Sequence, residues 1–168
     1  MPVIGKTISA GVPGAISRQG VTIVESAYIN SEKKPEAYGV PIKIINGKIE
    51  KWETGNVKSP DLYGVLGRTA PGTPGSVTGN DGFGEGVPNT EQPQNVIVFG
   101  YVSVICAQGT PVRGGDVFIR YKAASGKNIG DWEATADAGN NVKIAGATWA
   151  IDGLDESKVT ELRIELEH

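Results

Sequence analysis

Val96 to Leu166 reads VIVFGYVSVICAQGTPVRGGDVFIRYKAASGKNIGDWEATADAGNNVKIAGATWAIDGLDESKVTELRIEL. Four runs within it are strand-like: Val96 to Cys106, Asp116 to Lys122, Asn141 to Ile151 and Val159 to Leu166. They are broken by Gly114-Gly115, Ser125-Gly126, Gly139-Asn140 and Asp152-Gly153, residue pairs that supply the positive φ angles of tight turns. This is the punctuation of an antiparallel β protein. The last run is the cleanest, because Leu162, Ile164 and Leu166 alternate with Glu161, Arg163 and Glu165, one face dry and the other wet.

Upstream of this stretch the same logic holds. Val21 to Ile29 is a β-branched run, and Val40 to Trp52 is a hairpin with Asn46-Gly47 at the centre of a two-residue type I′ turn. That turn sets the register. Pairing Ile45 with Lys48 puts Ile44 opposite Ile49 on one face and Lys43 opposite Glu50 on the other, so apolar and opposite-charge pairs agree on one alignment. Ser31 to Ala37 (SEKKPEA) has room for no more than a turn of helix and reads as a charged surface loop. Asp61 to Thr69 is a short strand. No segment carries helical periodicity over a convincing length, so the expected fold is all-β: an antiparallel sandwich or barrel of about eight to ten strands.

The order of phrases GYVSV, GTPVRGGDVFIR, GKNIGDWEA, IAGATWAIDG and ELRIEL resembles that of the cement, or decoration, proteins of tailed-bacteriophage capsids. The likeness is densest from Val96 to Ile164 and continues more loosely through Gly11 to Arg68, with GVPGAISR and YGVLGRTAPG. It implies a jelly-roll-like β domain and a non-enzymatic structural role in the virion. By the same resemblance the protein is made in the bacterial host cytoplasm, binds the capsid exterior and stabilises the shell by bridging copies of the major capsid protein, with self-association on the lattice as a homo-oligomer. The segment from Pro71 to Pro93 matches no phrase of the family.

Composition agrees with a single domain. A chain of 168 residues buries about 70% of its unfolded surface, enough for a core without staples. Its one cysteine, Cys106, excludes an intrachain disulfide and reads as a small apolar residue in a buried strand. The N-terminus MPVIGKTISAGVPG lacks the continuous apolar run of a signal peptide, and no run approaches the roughly 20 residues that span a bilayer. With a net charge of −3 and interspersed lysines and acids, there is no basic footprint for nucleic acid. Membrane and nucleic acid are therefore not the expected partners.

The sole histidine, His168, lies in Leu166 to His168, which reads as an expression-tag remnant. Without it there is no imidazole for a Ser-His-Asp or Cys-His pair or for most transition-metal sites. No spacing of carboxylates singles out a glycosidase pair. Asp81 and Glu85 fall short of a calcium loop, and NDGFGEG lacks the strand and helix that frame a phosphate-binding loop. No catalytic residue, metal site or cofactor is assigned, and RGGD at Arg113 to Asp116 reads as a turn with a flanking ion pair.

Contact residues are sought in two segments instead. Residues 1–18 read as an extended arm, with Pro2, Gly5, Gly11, Pro13 and Gly14 denying helix and central strand. Residues 19–166 form the single β domain with an insertion at 71–93, a long aperiodic loop of the kind that is usually functional or disordered. The candidate capsid or self-contact residues are Val3, Ile4, Ile8, Val12, Ile16 and Arg18 in the arm and Phe83 and Val87 in the loop. A rival reading from another class is a carbohydrate-binding module of a phage tail or surface protein. It uses Trp52 or Trp132, each flanked by charge, as the stacking platform. Trp149, inside AGATWAI, belongs to the core.

Overall fold

The computed structural model describes residues 11–55, 58, 61–68 and 87–166. Nine strands form in chain order: β1 (Ile23–Ile29), β2 (Pro41–Ile45), β3 (Lys48–Lys51), β4 (Gly64–Gly67), β5 (Gln94–Gln108), β6 (Asp116–Arg120), β7 (Trp132–Glu133), β8 (Asn141–Trp149) and β9 (Val159–Glu165). The one helical element among the described residues is a 3-10 turn at Ser31–Lys33, where Asn30 accepts from the Glu32 backbone N–H.

The strands form one hydrogen-bonded sheet in the order β1-β3-β2-β4-β5-β7-β6-β8-β9, which closes on itself twice, through β1–β5 and β5–β9. Two five-stranded rings therefore share β5. The expected alternative of two separate stacked sheets, as in a sandwich or jelly roll, does not form. The reason is the length of β5: its 15 residues reach through both rings. Residues 94–97 and 99 pair with β1, residues 95–97 with β4, residues 99–105 with β9, and Cys106 and Gln108 with β7. Closure covers most sheet edges, the usual answer to unpaired strands, although residues 23–27 of β1 pair with β5 alone among the described strands.

Two apolar clusters fill the fold. The larger gathers Val102, Val104, Cys106, Val117, Ile119, Trp132, Ile144, Trp149, Leu162 and Ile164; the smaller gathers Ile29, Tyr38, Ile42, Ile49, Leu66, Val96 and Val98. β4 and the first half of β5 stand between them. Leu66 and Val96 belong to the smaller cluster while their neighbours Val65 and Ile97 belong to the larger, as expected when successive side chains point to opposite faces. Gly64 is needed in this wall because a Cβ there would lie 2.6 Å from Val96 Cγ1 and 2.7 Å from the Ile97 carbonyl oxygen.

The hairpin forms in the expected register, Ile45 with Lys48, Ile44 with Ile49 and Lys43 with Glu50. Asn46 and Gly47 both have positive φ, 51° and 76°, as a type I′ turn requires. In β9, Leu162 and Ile164 are buried as expected, but so is Glu161, which the alternation assigned to solvent. Ser17 and Arg18 bond its carboxylate. Leu166 is not a bystander at the tag boundary either: it packs against the larger cluster and its N–H donates to Val98 O at 3.2 Å. In RGGD the turn forms with Gly114 at φ 76°, yet Asp116 pairs with Lys143 at 2.8 Å rather than with Arg113.

The ring that contains β6 and β7 holds a buried charged cluster. Arg120 and Glu133, both fully buried, pair at 2.6 Å, and Arg120 Nη2 donates to Asp137 Oδ2 at 2.6 Å. Asn141 donates to Glu133 Oε2 at 2.5 Å, so the charges are compensated by a network, the condition under which buried charge is tolerated.

Candidate interaction surface

Three features of the surface bear on binding: the N-terminal segment, the outer edge of β1 and the surroundings of the tryptophans. In the segment, Val3, Ile4 and Ile8 lie outside the described residues, as does Phe83 of the loop. Val87 is exposed. The remaining part of the arm is not a free tether. Gly14 N–H donates to Ser103 O at 2.8 Å, Ser103 N–H to Ala15 O at 2.9 Å, and Ser17 N–H to Tyr101 O at 3.1 Å. Ile16 thus forms an antiparallel bridge to Val102 of β5.

Side chains reinforce this seam. Arg18 donates from Nε to Glu161 Oε1 at 2.9 Å and from Nη2 to Oε2 at 2.5 Å, and its guanidinium lies 4.5 Å from the Tyr101 ring centroid. Hydrogen bonding to Glu161 raises the guanidinium pKa further, so the charge persists at any working pH. Ser17 Oγ adds a third donor to Glu161 at 2.7 Å. Arg68 holds the other side, its N–H bonding Gly14 O at 2.8 Å and its Nε bonding Pro13 O at 3.0 Å. The expectation of an arm through Arg18 is corrected here: residues 14–18 are an integral part of the domain. Arg18 is spent inside its own chain, Val12 is half-buried, and Ile16 keeps 48% exposure.

β1 shows the reverse. It contributes Ile29 to the smaller core, but Val21, just before it, is 76% exposed, Ile23 49%, Val24 38% and Tyr28 53%. The sequence reading did not single out these exposed residues. The available signal was VTIVESAY itself, which puts apolar residues on both parities of a strand without being a buried central one.

The tryptophans close the rival reading. Trp52 and Trp132 are 3% and 2% exposed and belong to the larger core, so neither presents a ring face on which a sugar can stack. Flanking charge misled here because those charges turn away into pairs, Lys43 with Glu53 at 2.7 Å and Arg120 with Glu133 at 2.6 Å. The Trp132 indole N–H donates to Gly39 O at 2.8 Å. Beside Trp52 lies a groove of about 590 Å³ lined by Pro35, Pro41, Lys51, Ile129 and Asp131 among others. The Trp52 indole nitrogen is shut off from it: buried, and without a hydrogen-bond partner.

Comparison with known proteins now adds identity. Residues 3–165 match the family of structural cement proteins (E217 gp24/Pam3 gp6). The chain belongs to the phage cement protein family. A solved chain from the capsid of Myoviridae phage XM1 has the same fold, with a TM-score of 0.66 and 16% identity over 96% of this chain and 94% of that one. No curated protein matches the sequence significantly. The phage cement assignment agrees with the order of phrases in residues 96–166 and gives the carbohydrate reading no support. As a cement protein the chain is a structural, capsid-stabilising component of a phage head.

Proposed function

We propose that this cement protein binds the outside of the assembled shell and stabilises it by bridging neighbouring major-capsid subunits, without catalysing a reaction. The observation that carries the reading is the family match over residues 3–165. The physical picture supports it. Two closed rings share one 15-residue strand, and the exposed apolar residues Val21, Ile23, Val24 and Tyr28 supply surface that gains from being covered.

Each bound copy adds interfaces that must break before the shell does, and a repeated lattice adds avidity. A ligand that binds only the intact shell stabilises it by RT ln(1 + [L]/Kd), about 2.7 kcal/mol per site at one hundredfold saturation. Summed over a shell, this is large. The test is to heat DNA-filled heads with and without the protein and follow DNA release by dye fluorescence, with binding checked by sedimentation. Release should shift to higher temperature with the protein bound. Equal release temperatures at confirmed occupancy would reject the stabilising role.

A further inference from the structure

The groove beside Trp52 holds a carboxylate without a counter-ion. Its lining comes from two stretches far apart in the chain, residues 35–54 and residues 123–131. They meet closely at Gly130, where a Cβ would stand 3.7 Å from Trp52 Cβ and 3.9 Å from Pro41 Cγ. The charged side chains of the lining are Glu36, Lys51, Glu53 and Asp131. Glu53 is satisfied within the chain, by Lys43 at 2.7 Å and Lys33 at 3.3 Å. Asp131 is not. Half-buried, it accepts the Asn128 N–H at 2.7 Å through Oδ2 and forms no ion pair among the described residues, with Lys51 or any other cation. Loss of water raises its pKa despite the bond from Asn128, so the free protein keeps its ionised form at a cost. A perturbed group in a cleft that does not help the fold points to binding.

We propose that this groove seats a lysine side chain of a neighbouring major-capsid subunit, with the ammonium on Asp131. The inference deepens the capsid reading above and rests on it. Charge selects the class of occupant: with Glu53 paired, Glu36 and Asp131 stand against Lys51 alone, an acidic excess that one more cation removes. Hydrogen bonding selects lysine over arginine. The Asn128 N–H already uses Oδ2, which suits a compact ammonium on the other oxygen better than a guanidinium fork that spans both. The apolar lining at Pro35, Pro41 and Ile129 matches the four-carbon stem, which gains from cover while its head stays charged.

Zero-length cross-linking tests the contact. Heads carrying the protein are treated with a water-soluble carbodiimide, which joins a carboxylate to an amine touching it, then digested for mass spectrometry. An amide between Asp131 and a lysine of the major capsid protein is expected. Asp131→Asn should abolish it and weaken sedimentation with heads about tenfold, while its denaturant melt stays at or above that of the parent because a desolvated charge is gone. Ala123→Trp, at an exposed position of the lining, should weaken binding as much with the carboxylate intact. Asp131 linked only to Lys51 or to a lysine of a second copy, or Asp131→Asn binding heads like the parent, overturns the lysine seat and leaves the capsid reading standing.

The free protein supplies an independent readout. Its backbone amides are followed by NMR during titration with Nα-acetyl-lysine amide and, separately, with the uncharged norleucine analogue. Shifts at Asn128, Gly130 and Asp131 are expected with the lysine compound alone and should vanish in Asp131→Asn. An equal response to both compounds overturns the seat. Failure of the parent itself to sediment with heads counts against the capsid reading instead, and the titration then decides the groove.

Discussion

Arg18 and Glu161 stand 143 residues apart in the chain and meet in a two-pronged ion pair, Nε to Oε1 at 2.9 Å and Nη2 to Oε2 at 2.5 Å. Bidentate geometry makes this stronger than a single surface contact. The Glu161 side chain is 7% exposed while that of Arg18 is 37% exposed, so the pair lies at the margin of the core. It pins the N-terminal segment across β5 onto β9.

Truncation should therefore split at Gly11. Removing residues 2–10 is expected to leave the thermal melt close to that of the parent. Removing residues 2–18 strips the backbone bonds to Ser103 and Tyr101 and leaves Glu161 unpaired, and should lower stability by several kcal/mol. Arg18→Ala alone should cost about 1–2 kcal/mol, reduced from a fully buried pair by solvent screening. Denaturant melts of the three variants decide it. Equal loss in both truncations would mean that the domain extends to the first residues.

At the hairpin tip, Gly47 has φ 76° and open space around its missing Cβ. Gly47→Val should strain the turn by about 1–3 kcal/mol through backbone conformation alone. Gly47→Asn, better tolerated at positive φ, should recover most of it. Melts monitored by circular dichroism provide the comparison, and no difference between Val and Asn would remove the backbone explanation.

Between β6 and β7, Arg120→Met leaves the fully buried Glu133 without its cation. Breaking one side of a buried pair costs about 3–5 kcal/mol, whereas replacing both sides with apolar residues is often neutral. Arg120→Met/Glu133→Leu should thus be more stable than Arg120→Met in urea unfolding. A double variant as damaged as the single one would show that the network, Asp137 and Asn141 included, matters more than the pair.

The same network sets an acid response. Asp137 is held well below the usual carboxylate range, chiefly by the hydrogen bond from Arg120 and next by that from Asn140. A depressed folded-state pKa means stability that is present above the unfolded value, about 3.9, and is lost as pH falls through the folded one. Asp137→Asn should be less stable than the parent near neutral pH, with the gap closing below about pH 4. Urea melts from pH 7 down to pH 3 report the trend, and a gap that is constant with pH would exclude titration of Asp137 as its cause.

The hairpin register and the strands other than the two-residue β7 were legible in the sequence because both are local. A two-residue Asn46-Gly47 turn admits one alignment, and Lys43 opposite Glu50 follows from it. Alternation in residues 159–165 likewise identified Leu162 and Ile164 as core. The phrases between 96 and 166 also pointed to the phage cement family, to which residues 3–165 match.

What tertiary structure alone decided is non-local. Nothing in VIVFGYVSVICAQ says that one strand will be shared by two rings, since that depends on which distant strands reach its two edges. Burial of Trp52 and Trp132 was hidden for the same reason: their charged neighbours are satisfied by partners elsewhere in the chain, Lys43 with Glu53 and Arg120 with Glu133, which flanking sequence does not display. Glu161 looked wet and is dry because Ser17 and Arg18 arrive from the far end of the chain. β-branched composition made Val21 to Ile29 a strand, but how far its second edge is covered depends on distant residues: among the described strands only β3 pairs there, at Tyr28 and Ile29.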